Sequence, residues 1–467
     1  MKIGFFFLTM LFIANAGLGQ TGNENLKKAF QQFEDDIQLK HALVSLYVID
    51  GKTGTVVFDR NSQTGMAPAS TQKVITSVTA LDLLGKEYRY RTDFILAKDL
   101  HAGPWYLFVH GTGDPTFGSW RYRQTEEKKI MDDIYDSLGG LAPSVIWILD
   151  NKFGTSAVRD GYIWQDMGNY YGSGTYQLNW KENQYDISFE SYAVGQRARI
   201  TGIDMDTAGY KFINEVISGE AGSGDNAYVY AAPYSKEIYL RGTIPPLQKS
   251  FKISGSNPDP VLSFGRSLKK YLESRWRISR SKTNAFVNRL NSTDGVLTGL
   301  PVLGDADTVY THYSPSLDSI IYWFNKKSIN LYGEALLNTL GDDGKGKKGA
   351  GVERVQAFWK QKGLDEEELN IVDGSGLSPG NRVTTHAQVE VLKYARSRAW
   401  YPSFYDALPE YNGMKMKSGT INGVKAFCGY QKAADGREYI FSFLVNNYSG
   451  TSSSLVGKMY KVLDALK

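Results

Sequence analysis

The hydrophobic period of this chain changes twice, and no other feature of the sequence constrains its fold as much. Before Lys86 and after Thr311 apolar residues recur three and four apart: Leu26, Ala29, Phe30, Phe33 and Ile37; Val74, Ile75, Val78, Leu81 and Leu84, closed by Gly85; and the stretches 317–323, 331–340 and 455–466. Such spacing marks amphipathic helices. The same outer regions hold strand-like runs over 43–49 and 55–59, joined by a turn at 50–54, and over 414–420, 424–431 and 439–445. Between the two change points the chain turns to short β-branched and aromatic runs separated by Gly, Asn and Tyr, for example 107–110, 145–149 and 228–232. Runs of that length and composition read as strands. The expectation is therefore a mixed α/β core, an antiparallel sheet flanked by helices, assembled from residues 20–85 and 312–467. A large β-rich insertion of two smaller domains splits it over residues 86–311. A chain of 467 residues is long enough for three such bodies.

Lys2 is followed by a 12-residue apolar run from Ile3 to Ala14 and then by small residues to Gly19. That is the pattern of a signal peptide over residues 1–19, cut after Ala16 or Gly19. The run is shorter than the ~20 residues that cross a bilayer as a helix, and no second one follows, so no membrane span is expected once the signal is removed. A retained signal anchor is the alternative. The single cysteine, Cys428, excludes an internal disulfide and leaves no thiolate cluster for zinc or an iron–sulfur centre. Export and the near-absence of cysteine together fit a periplasmic protein. Fifty-three basic against 49 acidic residues give a net charge of +4, without the basic stripe that nucleic-acid binding requires.

Ser70 and Lys73 stand three apart where the second helix begins, on one face and within reach of each other. A serine hydroxyl needs an adjacent base to become a nucleophile, and a lysine serves only when neutral. Chance supplies the same spacing at Ser267 with Lys270 and at Ser279 with Lys282, both read as solvated faces; only Ser70 opens an apolar helix behind a loop. A second element is Ser328, Ile329, Asn330, and a third is Lys417, Ser418, Gly419, Thr420 on an expected strand. The triplet Lys52, Thr53, Gly54 imitates the third but fits a hairpin turn. Glycine at 419 suits a strand that a substrate backbone must approach closely.

Ser-x-x-Lys, Ser-x-Asn and Lys-Ser/Thr-Gly in that order mark the penicillin-binding protein and serine β-lactamase superfamily. Ser328 lies 258 residues after Ser70, and Lys417 a further 89 on, so an insertion is expected between the first two motifs. In this arrangement, and in Gly111–Thr116, Asp166–Gly172, Asn179, Trp180, Asn183, Asn325–Glu334 and Asp373–Ser378, the chain resembles the D-alanyl-D-alanine carboxypeptidase/endopeptidases, the low-molecular-mass class C penicillin-binding proteins. Two positions depart from the family pattern: Ile329 stands where Asp is usual, and Ser418 where Thr is common.

The resemblance implies a transpeptidase-like core and a serine acyl-transfer cycle on peptidoglycan stem peptides. Ser70 would be the nucleophile, Lys73 its base, Ser328 and Lys417 a proton relay, and Asn330 an orienting amide. Lys417, Ser418 and Thr420 would hold the terminal carboxylate beside Gly419, with the amides of Ser70 and Thr420 as the oxyanion hole. Asp166 matches the family position that meets the amino end of the substrate's diamino acid; a turn or cap aspartate is its plainer reading. Asp373, Ser375 and Ser378 read as a structural turn. β-Lactams would acylate Ser70 and stay.

No cofactor and no metal are expected: His41, His101, His110, His312 and His386 lack ligand spacing, and Ser-His-Asp hydrolysis is not expected either. The stretch Gly341, Gly346, Lys347, Lys348 falls short of a phosphate loop, since no Ser or Thr follows the lysines. Two other functions share part of this pattern. A β-lactamase or esterase of the superfamily would turn β-lactams over rapidly, and a non-enzymatic peptidoglycan-binding protein would have no use for an intact Ser70, Lys73 and Lys417.

Overall fold

The computed structural model describes residues 24–99, 104–150, 157–276, 284–288, 303–342 and 349–467. The expected signal peptide, the Ser279–Lys282 pair and Gly346–Lys348 lie outside them. The chain divides into two compact units: Met1–Leu83 with Ile321–Ser328 and Val352–Lys467, and Leu84–Ile320 with Ile329–Gly351.

The first unit is built on a six-stranded antiparallel sheet in the order Glu410–Tyr411, Met414–Ile421, Val424–Lys432, Glu438–Asn446, Leu43–Asp50, Val56–Arg60. One face packs on the helix over 24–34 and on the C-terminal helix Ser452–Leu463, through Phe30, Phe33, Leu455 and Met459 against Val48, Met416, Phe441 and Phe443. The other face carries the helix Thr385–Arg396, tied down by Ser442 Oγ donating to Gln388 Oε1 (2.6 Å) and Tyr430 Oη donating to the Leu392 carbonyl (2.8 Å). Helices on both faces explain why the central strands are buried almost continuously instead of alternating. The Lys52–Thr53–Gly54 imitation is a hairpin turn: Asp50 accepts from the amides of Lys52 and Thr53, and Gly54 has φ +75°.

The strand Met414–Ile421 is nearly an edge. Beyond the short pairing of Glu410 and Tyr411 with Lys415 and Met414, residues 416–421 have a sheet neighbour on one side only. The side of Lys417–Thr420 away from Val424–Lys432 is thus left unpaired within the sheet, the condition for taking up an extended peptide.

The second unit has two cores. The first lies under a five-stranded mixed sheet ordered Asn284–Asn288, Val145–Leu149, Trp105–Gly111, Arg91–Asp99, Leu303–Tyr313. Val145–Leu149 runs parallel to both of its neighbours, and the amphipathic helices Glu127–Ser137 and Pro260–Trp276 supply Ile130, Ile134, Phe264 and Leu268. The second core joins two three-stranded sheets, Lys211–Ser218, Glu237–Ile244, Asn226–Tyr230 and Phe251–Ser256, Gln184–Glu190, Arg199–Ile203, through Ile187, Phe189, Val216, Val229 and Leu240. The expected strand at 228–232 ends at Tyr230.

Candidate active site

Ser70 sits in a single 3-10 turn, Ala69–Gln72, that runs directly into the helix Lys73–Leu84. That helix is buried on nearly all sides from Lys73 to Leu81, not on one face. Its polar side chains are therefore hydrogen-bonded: Thr76 Oγ1 to the Gly374 carbonyl (2.6 Å), Ser77 Oγ with Asn325 Nδ2 (2.9 Å), and Thr79 Oγ1 with Trp359 Nε1 (2.9 Å). Ala69 holds a left-handed φ of +46° immediately before the serine, and Ser328 has φ +55°. Neither residue type prefers that region, so the backbone is strained at or beside both motif serines. The Ala69 carbonyl can lie where it does because Gly376 lacks a side chain: a Cβ there would meet that oxygen at 1.9 Å.

Lys73 is fully buried. Its Nζ lies 2.9 Å from Ser70 Oγ, donates to the Ser375 carbonyl at 2.7 Å and sits 5.7 Å from the centre of the Phe324 ring. The Ser375 carbonyl is aimed by Asp373, whose carboxylate accepts from the amides of Ser375 (3.2 Å), Gly376 (2.7 Å) and Ser378 (2.7 Å) and from Gln72 Nε2 (3.2 Å). The turn role expected of Asp373, Ser375 and Ser378 is what the hydrogen bonds show. Its contact with Lys73, through a main-chain oxygen, has no side-chain signature in the sequence.

The third motif lies against the first. A Cβ at Gly419 would stand 2.7 Å from the Pro68 carbonyl oxygen and 3.0 Å from the amides of Ser70 and Thr71. The backbone that approaches this glycine is thus the serine's own turn, not the substrate backbone expected there. Lys417 is buried and donates to Ser328 Oγ at 3.0 Å and to the Ser418 carbonyl at 2.8 Å. Burial pulls its ammonium down from 10.5 to about 7, with Cys428 acting in the opposite sense and Lys425 adding slightly. Cys428, directly across the ladder, is buried, and that burial pushes its thiol up to about 12. Ser418 is half-buried and Thr420 exposed. Thr420 Oγ1 accepts from Lys425 Nζ at 2.7 Å, which adds a second cation that no motif announces. Burial lowers the pKa of Lys425 too.

Asn330 and Asp166 belong to the second unit, where one residue links them. Asn330 opens the helix Asn330–Leu340 and its Nδ2 donates to the Tyr171 carbonyl at 2.7 Å. The Tyr171 hydroxyl also faces the carboxyl of Asp166, on the short helix Trp164–Met167, and acts to lower its pKa. Burial raises the Asp166 carboxyl above its ordinary range, against the lowering effect of that hydroxyl. Ile329, the departure from the family pattern, caps the Asn330 helix without any side-chain hydrogen bond.

A model of the D-Ala-D-Ala carboxypeptidase 3 (S13) family matches residues 23–410, well over half of the chain. The chain belongs to that family. The S13 match includes Ser70, Lys73, Ser328 and Asn330 and ends before Lys417. A D-alanyl-D-alanine carboxypeptidase of Actinomadura sp. (strain R39) is 25% identical over 456 residues, which cover 91% of this chain and 81% of that one. The fold is that of penicillin binding protein 4 (dacB) from Haemophilus influenzae, with a TM-score of 0.73 at 18% identity over 91% of this chain and 96% of that one. The same H. influenzae protein complexed with a β-lactam gives a TM-score of 0.69 at 16% identity, over 94% of this chain and 98% of that one.

Proposed function

We propose that this S13 member is a periplasmic serine D-alanyl-D-alanine carboxypeptidase acting on peptidoglycan stem peptides, able also to cut D-alanyl cross-links as an endopeptidase. The observation that carries the proposal is the packing of two serine–lysine pairs in one unit: Ser70 with Lys73, and Ser328 with Lys417, joined where Gly419 meets the Ser70 turn. An apolar run at residues 3–14 and the absence, among the described residues, of any helix able to cross a membrane support an exported protein.

Ser70 Oγ attacks the carbonyl carbon of the penultimate D-alanine while Lys73 takes its proton. The amides of Ser70 and Thr420 bind the oxyanion. The carbon–nitrogen bond then breaks, and Ser328, bonded to Lys417, passes a proton to the departing amine of the terminal D-alanine. Water attacks the ester on Ser70 and releases the shortened peptide. Lys417, Ser418 and Thr420 receive the terminal carboxylate, with Lys425 adding positive charge behind Thr420. A lysine balanced near neutrality suits both of its tasks, since a bound carboxylate favours its charged form and an empty site the neutral one. Asn330 orients the peptide amide and Asp166 receives the ammonium of the diamino acid. A β-lactam acylates the same serine, but its leaving group stays attached and obstructs water.

Purified muropeptides test the proposal. A monomeric pentapeptide should lose its terminal D-alanine, and a cross-linked dimer should yield monomers, as read by mass spectrometry, with neither product from Ser70→Ala. A pentapeptide returned intact by the parent protein overturns it.

A further inference from the structure

The second unit carries a groove of about 720 Å³ whose lining includes Trp120, Met131, Lys181, Ser267, Lys270 and Tyr271. That volume is within the range of about 300–1,000 Å³ typical of ligand clefts. We propose that this groove binds the glycan strand of peptidoglycan, a β-linked N-acetylhexosamine polymer whose alternate sugars expose a carboxylate wherever the stem peptide has been removed. The inference rests on the carboxypeptidase reading, because that polymer carries the stem peptides.

Trp120 is 48% exposed, an unusual setting for the largest apolar side chain. It is nonetheless not on a loose loop. Its two neighbours in sequence are both fastened to the buried carboxylate of Glu182, Ser119 Oγ at 2.7 Å and Arg121 Nε at 2.8 Å. Tyr332 Oη donates to the same oxygen at 2.8 Å. Glu182 is presented by three consecutive left-handed residues, Lys181, Glu182 and Asn183, with φ of 53°, 51° and 52°. Three non-glycine residues in that region are strained, and strain of this kind persists where the surroundings fix it. The result is an indole held on the groove wall, with the Arg121 guanidinium 5.4 Å from its centre and about half of its surface free to receive the apolar face of a sugar ring.

The rest of the lining is mostly polar, with hydroxyls, lysines and the carboxylates of Glu126 and Glu127. Ser267 and Ser274 bring hydroxyls from the helix Pro260–Trp276. Lys128 is paired with Asp132, and Lys181 with Glu127 and Asp204. Lys270 is exposed and makes no ion pair among the described residues, which suits the free carboxylate of a sugar stripped of its stem peptide. The spacing of Ser267 and Lys270, a solvated face in the sequence, here lies along one wall of the groove.

Binding is measured by isothermal titration in Ser70→Ala protein, so that it does not depend on turnover, with two probes: peptide-free glycan strands prepared by amidase digestion, and chitotetraose, which has no carboxylate. Both should bind saturably, and Trp120→Ala should weaken both about tenfold. Lys270→Gln should weaken the glycan strands several-fold more than chitotetraose. Thermal melting of each variant checks that it is folded. No saturable binding by the Ser70→Ala protein, or Trp120→Ala and Lys270→Gln proteins that bind as it does, would overturn the inference. Failure of muropeptide hydrolysis by the parent protein is read in a separate assay and would overturn the activity instead.

Discussion

Replacing Gly419 by alanine should disable the enzyme without touching any catalytic side chain. The added Cβ would stand 2.7 Å from the Pro68 carbonyl oxygen and 3.0 Å from the Ser70 and Thr71 amide nitrogens. All three are backbone atoms of one turn, so no side-chain rotation relieves the overlap. The Pro68 carbonyl is held in place as well, since it accepts from Thr71 Oγ1 at 2.7 Å. Restoring an ordinary contact of 3.4 Å requires the strand and the turn to part by about 0.7 Å. Overpacking of this kind costs about 1–3 kcal/mol, and each kcal/mol lowers the Tm of a domain of 150–250 residues by about 2–4 °C. The shift displaces the Ser70 hydroxyl and the Ser70 amide, the proposed nucleophile and oxyanion donor, together, and a misplacement approaching 1 Å slows a reaction by about 10–100-fold. Stopped-flow acylation by a fluorescent penicillin, alongside a melting curve, reads both effects. Gly457→Ala is the control, because that position is exposed on the C-terminal helix and a Cβ there meets nothing within 4 Å. Acylation by Gly419→Ala within twofold of the parent, at an unchanged Tm, would refute the close packing of strand and turn on which the site depends.

Other perturbations have signs fixed by the same geometry. The folded-state pKa of Lys417, about 7, lies below its ordinary 10.5, so between those values the unfolded chain binds more protons and stability rises with pH. The Tm of Lys417→Met relative to the parent should therefore move in the variant's favour as pH falls from 10 to 7 and level off below, whatever its sign at pH 10; a pH-independent difference contradicts the burial argument. Asp373→Ala removes the acceptor of four hydrogen bonds and should cost about 2–4 kcal/mol in urea unfolding, with slower acylation because the Ser375 carbonyl no longer holds Lys73. Lys425→Ala should raise KM for a carboxylate-terminated peptide several-fold while kcat changes little, as steady-state D-alanine release would show.

The helices and strands that bear the motifs were legible because their periods are strong. The segments at 414–420, 424–431 and 439–445 are adjacent strands, and the Ser70 helix begins where the apolar pattern starts. What the period could not give was burial on both faces of the sheet, which follows from helices far away in the chain, or the parallel pairing of Val145–Leu149, which joins segments on either side of it. The helix Glu127–Ser137 did carry a signal, Ile130, Met131, Ile134 and Leu138 at helical spacing, inside a region whose glycines and tyrosines pointed to strands. Within the site, the left-handed backbone at Ala69 and Ser328 has no marker, since alanine and serine do not announce it as glycine or asparagine would. The Ser375 carbonyl on Lys73 was equally hidden: a main-chain oxygen has no letter in the sequence. Glycine at 419 points to a close approach, expected of a substrate backbone, whereas in the fold it is the Ser70 turn that comes close.

Acyl-transfer through Ser70 is the claim on which the rest depends, and mass spectrometry of the protein after brief exposure to benzylpenicillin tests it most directly. One adduct per chain is expected, carried by the peptide containing Ser70 and absent from Ser70→Ala. An unmodified protein, or an adduct on Ser328 or any other residue, would contradict it.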